Sequence, residues 1–293
     1  MRTSSLRVPH SFAKRNHMNT QKVWFITGAS KGMGLEITKA VLNNGDRVIA
    51  TSRNTKALLE KIGDHQDNIL PIALDITNET AVGDAISEGI GRFGRIDVVV
   101  NNAGYNLLGN IEELSDAEFR ETMNVNVFGM AHIIRKVLPH LRRQKSGHII
   151  NTSSMMGYMS YPGNGSYSAS KFAVIGLSEA LAQEVDPFGI KVTILAPGTF
   201  RTNFMSGNSL HIAKNKIGAY GLDKQVEQFT GLDGKQLGDP KKLAEILLEI
   251  TAMPNPPLHL PLGSDSYNAI IATRNNEAKE MEKWKALSLA TDH

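Results

Sequence analysis

The sequence predicts a doubly wound α/β fold: a parallel sheet of about seven strands with helices on both faces. Two observations carry this. From Gln21 onward, short apolar runs alternate with longer amphipathic stretches, and that alternation builds strand–helix–strand units with right-handed crossovers. Most of the runs are continuously apolar, as a sheet covered on both faces requires. A chain of 293 residues can bury one substantial core. No internal repeat or low-complexity linker divides it, so residues 21–293 are expected to form a single domain.

The elements follow in order. Val23–Thr27 is the first strand, and the glycine-rich Thr27-Gly28-Ala29-Ser30-Lys31-Gly32-Met33-Gly34 turns it into a helix. Further strands are expected at Arg47–Ser52, 69–75 and 97–103. Next comes a long helix, because Phe119, Met123, Val127, Ala131, Ile134, Leu138 and Leu141 recur at spacings of three and four. Pro139 should bend or end it near its close. A strand at 148–153 leads into the helix that holds Tyr167. Asp186-Pro187-Phe188-Gly189 ends that helix and turns into a strand at 191–196. A final strand lies at 258–262. Residues 199–239 break the rhythm, with six glycines among scattered aromatic and apolar side chains. A loop-rich insertion of this length, placed after a strand's carboxyl end, reads as a lid.

Composition sets limits on function. Hydrophobic residues make up 41% and charged residues 21%, an ordinary globular balance. No apolar run approaches the roughly 20 residues that span a bilayer. The absence of cysteine excludes disulfides, thiolate nucleophiles and cysteine-bound zinc. The nine histidines show no metal-ligand spacing, so no metal is expected. The net charge of +3 comes from the start of the chain: Arg2, Arg7, Lys14 and Arg15 stand there without an acid. The rest has 28 basic and 29 acidic residues, which leaves no electrostatic footprint for nucleic acid. Residues 1–20 read as a disordered extension, with Met18 as the working start; an Arg- and Ser-rich transit segment is the other reading. A cytoplasmic protein acting on a small molecule is expected.

Two clusters carry chemistry. In the glycine turn, Gly28, Gly32 and Gly34 let a pyrophosphate approach main-chain N–H groups, and the following helix directs its positive end there. Ser30, Lys31 and Met33 fill the same turn. The second strand ends Ser52-Arg53, where an acid would accept from a ribose 2′-hydroxyl. A guanidinium there, with Lys31 nearby, instead grips a 2′-phosphate, so NADP(H) is favoured over NAD(H). Each such contact contributes roughly 1.5–3 kcal/mol, about tenfold or more in preference. Tyr167 and Lys171 stand at i and i+4 on one helix face. A lysine ammonium about 4 Å away would lower the phenol from its usual pKa near 10 towards working pH. Tyr220 and Lys224 share the spacing but lie in the insertion.

The spacing G-x-x-x-G-x-G after Thr27, together with Tyr167-Ser168-Ala169-Ser170-Lys171, resembles the short-chain dehydrogenase/reductase family in its compact single-domain branch. The likeness covers about residues 22–265. It implies a Rossmann-type fold and interconversion of a carbonyl and an alcohol by hydride transfer. Ser154, thirteen positions before Tyr167, would then orient the substrate oxygen, and Asn126, in Asn126-Val127-Phe128-Gly129, would hold a water linking Lys171 to solvent. The resemblance further implies that Asp75 contacts the adenine amine. It gives Asn102, Ala103 and Gly104 a role in shaping the cofactor cleft. Pro197, Gly198 and Thr202 would lie against the nicotinamide. Met155, Phe200 and Phe204 are expected to line an apolar substrate site, like that of hydroxysteroid- and retinol-type members. Helices beginning near Ser115 and Gly165 would make a homodimer or homotetramer. A cofactor-binding sensor without turnover, and an extended-branch epimerase or dehydratase, are the alternative readings. The first has no use for a full Asn–Ser–Tyr–Lys set; the second usually has a different glycine spacing and a larger C-terminal domain.

Overall fold

All seven expected strands are present in the computed structural model, which describes residues 21–63, 67–205 and 209–292. The N-terminal extension lies outside the described residues. The first half runs β1 (Val23–Thr27), α1 (Gly32–Asn43), β2 (Arg47–Ser52), α2 (Thr55–Ile62), β3 (Ile69–Ala73), α3 (Glu79–Phe93) and β4 (Val98–Asn101). Then come β5 (Asn106–Leu108), α4 (Asp116–Met123), α5 (Gly129–Gln144), β6 (Gly147–Thr152) and α6 (Gly165–Val185). The chain continues through β7 (Ile190–Pro197), β8 (Leu210–Ile212), α7 (Leu222–Thr230), α8 (Pro240–Ile250), β9 (His259–Leu262), α9 (Ser264–Lys283) and α10 (Lys285–Leu289).

The main sheet has the order β3-β2-β1-β4-β6-β7-β9, with every neighbouring pair parallel. Continuous apolarity has a direct cause here. Val23 and Phe25 pack on the face covered by α3, α5 and α6, while Trp24 and Ile26 pack on the face covered by α1, α2 and α8. Side chains alternate, but both faces are buried, so every position is apolar. Trp24, Phe25 and Ile26 are fully buried, and each contributes about 1.5–3 kcal/mol to the driving force.

Three expectations are corrected. The long helix after β5 is broken into α4 and α5 by a π turn over Asn124–Phe128. Gly129 N–H reaches back five residues to the Asn124 carbonyl, and the inserted residue shifts the stripe. Val127, Ile134 and Leu141 are buried as expected, but Met130, Ile133 and Val137 join them in place of Phe119, Met123, Ala131 and Leu138. Of the two outcomes expected at Pro139, a bend or an end, the second is overturned, since α5 continues to Gln144. The carbonyl that its missing N–H leaves unpaired belongs to Arg135, an exposed residue, so water can satisfy it. The insertion is more ordered than a loop: it carries β8, which pairs in parallel with β5, and helix α7.

Candidate active site

The chain builds outward from β1 to β3, returns beside β1 as β4, and then builds the other way. At that reversal the strand ends splay apart and open a cleft. A cavity of about 780 Å³ lies there, lined from the loops after β1, β2, β4, β6 and β7.

At its floor, Gly28 and Gly32 take left-handed φ values of +67° and +54°, which favour glycine. Gly34 has a different reason. A Cβ there would collide with the Gly28 carbonyl oxygen and the Asn102 side chain. Asn102 Nδ2 donates to the Thr27 carbonyl at 3.0 Å, and Thr27 Oγ1 accepts from the N–H groups of Asn102 (2.9 Å) and Ala103 (3.0 Å). These bonds lock the end of β4 to the turn after β1. The first turn of α1 has no side-chain cap, so its N–H groups are open towards the cleft. Ser30, Lys31, Met33 and Gly104 complete this wall.

One end of the cleft gathers cations. Arg53 and Lys31 both line it, and so does Lys61 of α2, which the sequence reading missed. Lys61 Nζ donates to the Ser30 carbonyl at 3.1 Å. Burial lowers the Lys31 ammonium pKa, and the charges of Arg53 and Lys61 lower it further. Positive groups that disfavour one another's charge mark a place suited to an anion. Ser52 Oγ donates to Ser30 Oγ at 2.8 Å and accepts from Asn54 N–H at 3.1 Å. Asp75 stands across from them. Hydrogen bonds from Thr77 N–H and Oγ1 hold its carboxyl below the usual range, with help from Arg53. Lys61 had a signal in the sequence. Leu58 and Ile62 face the core, and Asn54, Ala57 and Lys61 form the stripe that flanks them beside the turn.

The candidate proton-transfer groups come together at the centre. Asn126, Ser154, Tyr167 and Lys171 are all buried, and the last three line the cavity. Burial pushes the Tyr167 phenol up to about 12, with Ser154 pulling the other way. Burial also brings Lys171 down to about 8. The expected lowering of tyrosine by lysine is therefore corrected. Lys171 Nζ donates to the Thr152 carbonyl at 2.9 Å and lies 5.5 Å from the centre of the Tyr167 ring. Desolvation dominates both groups in this geometry. The adjacent serines differ. Ser153 Oγ donates to the Lys171 carbonyl, whereas Ser154 Oγ accepts from Met156 N–H at 3.1 Å and keeps its own proton to donate. Asn126 fastens Tyr105: its Oδ1 accepts from Tyr105 N–H, and its Nδ2 donates to Tyr105 O and Ser170 Oγ. Its amide hydrogens are thus committed to protein partners. Thr152 Oγ1 is buried in the wall without a protein partner.

On the other side, Phe204 packs against Tyr167 with ring centres 6.0 Å apart. Phe200, Met205, Pro197, Gly198 and Thr202 also line the cavity. Met155 does not. The 3₁₀ turn Met155–Gly157 folds back on Ser154 and carries Met155 away from the cavity. Residues not anticipated take its place: Tyr105, Leu107, His211 and Ile212, with Tyr105 and His211 rings 4.8 Å apart. Tyr220 is exposed outside the cavity and donates to Glu112. Among the described residues no group of acids and histidines could hold a metal, and no helix is long and apolar enough to cross a membrane. The positive turn, the three cations and the unpartnered Thr152 hydroxyl together fit a dinucleotide.

Comparison with known proteins agrees with this geometry. Residues 22–212 match the family model of the short chain dehydrogenases. "Oxidoreductase BOA17" of Botryotinia fuckeliana is 39% identical over 279 residues, covering 92% of this chain and 99% of that protein. A "3-ketodihydrosphingosine reductase" of Bacteroides thetaiotaomicron is 36% identical over 244 residues, covering 83% and 88%. Among solved structures, a short-chain dehydrogenase from Streptomyces avermitilis superposes with a TM-score of 0.87 at 36% identity, over 94% of this chain and all of that one. ElxO with NADP bound gives 0.71 at 27%, over 85% and 100%. A 3-ketoacyl-(acyl-carrier-protein) reductase from Brucella melitensis, complexed with NADH, gives 0.67 at 26%, over 82% and 96%.

Proposed function

The chain belongs to the short-chain dehydrogenase family and is an oxidoreductase, and from that premise we propose that it interconverts an apolar ketone or aldehyde and its alcohol with NADP(H). The observation that carries this reading is the convergence of Ser154, Tyr167 and Lys171 in one cavity with the glycine turn and three cations.

The dinucleotide, when bound, exchanges a hydride with the substrate carbon. This chain's residues do the rest. Gly28, Gly32, Gly34 and the start of α1 hold the pyrophosphate. Lys31, Arg53 and Lys61 hold a 2′-phosphate, and Asp75 receives the adenine amine. Pro197, Gly198 and Thr202 support the nicotinamide end. Ser154 donates a hydrogen bond to the substrate oxygen, and Tyr167 gives that oxygen its proton. The carbon has then gained a hydride and the oxygen a proton, which leaves an alcohol and a tyrosinate. The Lys171 ammonium favours that tyrosinate, returns a proton to it and takes up another from solvent, with Asn126 bracing the neighbouring loop. Phe200, Phe204 and Met205 form an apolar substrate wall, and the insertion acts as a lid. A ketone substrate accords with the name of the Bacteroides relative. Phe128, in the π turn between α4 and α5, and Phe172 of α6 are exposed at 50% and 46%, in keeping with a homo-oligomer built on the helices that begin near Ser115 and Gly165.

The test is oxidation of NADPH, against NADH, over a panel of ketones, aldehydes and quinones. Turnover that prefers NADPH is expected. The preference should fall about tenfold in Arg53→Ala or Lys61→Ala. NADPH binding with no turnover on any member of the panel would favour a cofactor-binding sensor.

A further inference from the structure

A second chain of polar side chains lies outside the cavity and ends on the turn that carries Ser154. Tyr158 is buried, at 4% exposure, among Ile175, Ile194, Ala196 and Ile270. Its Oη lies 2.6 Å from Nδ1 of His259 on β9. His259 Nε2 lies 3.3 Å from Glu179 Oε1 on α6, two turns beyond Lys171. The Arg274 guanidinium of α9 sits 5.4 Å from the centre of the Tyr158 ring. Proton bookkeeping orients the chain. A carboxylate only accepts, so the Glu179 contact assigns a hydrogen to His259 Nε2; in that tautomer Nδ1 accepts and Tyr158 donates.

The inner end of this chain bears on the serine. Tyr158 N–H closes the 3₁₀ turn on the Met155 carbonyl, Gly157 N–H bonds to the Ser154 carbonyl, and Met156 N–H bonds to Ser154 Oγ. The turn is wedged against α6, because a Cβ on Gly157 would strike Ser153 Oγ and the Lys171 carbonyl. One end of the turn thus rests on the helix of Tyr167 and Lys171. The other is pinned through Tyr158 to the last strand. A phenylalanine would fill the same apolar pocket, so packing alone does not account for the hydroxyl.

We propose that Tyr158, held by His259 and Glu179, is a positioning residue that fixes the direction of the Ser154 hydroxyl. This rests on the role given to Ser154 above. The chain ties that hydroxyl to β9 and α9, so the carboxyl-terminal segment takes part in the geometry of the reaction without touching it.

The test uses Tyr158→Phe, His259→Asn and His259→Gln in the full chain, with two readouts. The first is kcat and KM on the best ketone of the panel, with NADPH affinity from fluorescence. The second is amide exchange of residues 154–160, which needs no substrate. Asparagine keeps an acceptor near the Nδ1 position and glutamine only one near Nε2. Tyr158→Phe and His259→Gln should lower kcat about tenfold, with KM and NADPH affinity within about twofold of the parent. Exchange should quicken in the turn alone, and His259→Asn should stay near the parent. Parental kcat or parental exchange in Tyr158→Phe overturns the proposal, as does a loss of protection spread over the whole chain with kcat intact. If no ketone is turned over even by the parent, the reductase reading fails on its own, and the exchange result still decides whether Tyr158 holds the turn.

Discussion

Lys171 and Gly34 show how burial and close approach set the chemistry of single residues. Desolvation brings Lys171 down to about 8, so its charged form is present below that pH and lost above it. A tyrosinate forms most readily beside a charged ammonium. Carbonyl reduction is therefore expected to decline as pH rises through about 8, which a pH profile of kcat/KM checks; a Lys171→Arg variant that still turns over should show no such decline. At Gly34 the added methyl of an alanine would meet the Gly28 carbonyl and the Asn102 side chain, which is itself tied to the Thr27 carbonyl. Gly34→Ala should weaken NADPH binding at least about tenfold, read by fluorescence titration. Much at this scale was legible in the sequence. Tyr167, Lys171 and the glycines lie close along the chain, where spacing reveals geometry. His211 was not, because only the third dimension brings β8 to the cleft, and Lys61 showed only as a polar position beside the core stripe of α2. The Tyr167 pKa was misjudged because spacing shows that two groups share a face, not how dry that face is.

Among the elements, the insertion is held down by carboxylates from the segment before α4 and from the first turn of α4. Glu113 is almost wholly buried, and its Oε1 accepts from Ile217 N–H at 2.8 Å. Its Oε2 accepts from Asn110 N–H and side chain. Burial alone would raise its pKa, but these hydrogen bonds outweigh burial and hold it below the usual value. Glu118 is likewise lowered, first by Ser115, and its Oε1 accepts from Lys214 N–H. Both pKa values are depressed, so the clamp is fully present above the ordinary carboxylate value near 4.5 and is lost as pH falls through the lower folded values. Glu113→Gln replaces an acceptor with an amide whose hydrogens face other donors. It should reduce Tm by a few degrees and quicken proteolytic cutting between residues 212 and 221. Unchanged cutting would show that the insertion is held elsewhere. The strands were the most legible elements, because burial on both faces leaves unbroken apolar runs. Strands β5 and β8 were not: each has three residues, and they pair across about 100 positions, for which no local pattern exists. The π turn was hidden for a related reason, since Asn124–Phe128 reads as ordinary helix until the one extra residue is placed.

For the whole molecule, the reversal of strand order beside β1 decides where the chemistry sits, and the buried sheet decides how pH acts on stability. His148 of β6 is buried, bonded through Nε2 to Thr193 Oγ1, and lowered by burial to about 4, with Lys22 adding to the shift. Below about pH 6.5 the unfolded chain takes up a proton that the folded histidine refuses. Stability should fall by up to roughly 3 kcal/mol between pH 6.5 and 4. Denaturant titrations across that range should show this slope in the parent and lose it in His148→Gln. Whether Tyr167 supplies the proton that accompanies hydride transfer in this cleft is decided by following a labelled hydride. NADPH carrying deuterium at C4 is given with a turned-over ketone to the parent and to Tyr167→Phe, and the alcohol is weighed by mass spectrometry. Deuterated alcohol is expected from the parent and a yield at least about 100-fold lower from the variant, with NADPH affinity retained. Equal yields of deuterated alcohol from both proteins would contradict that role for Tyr167.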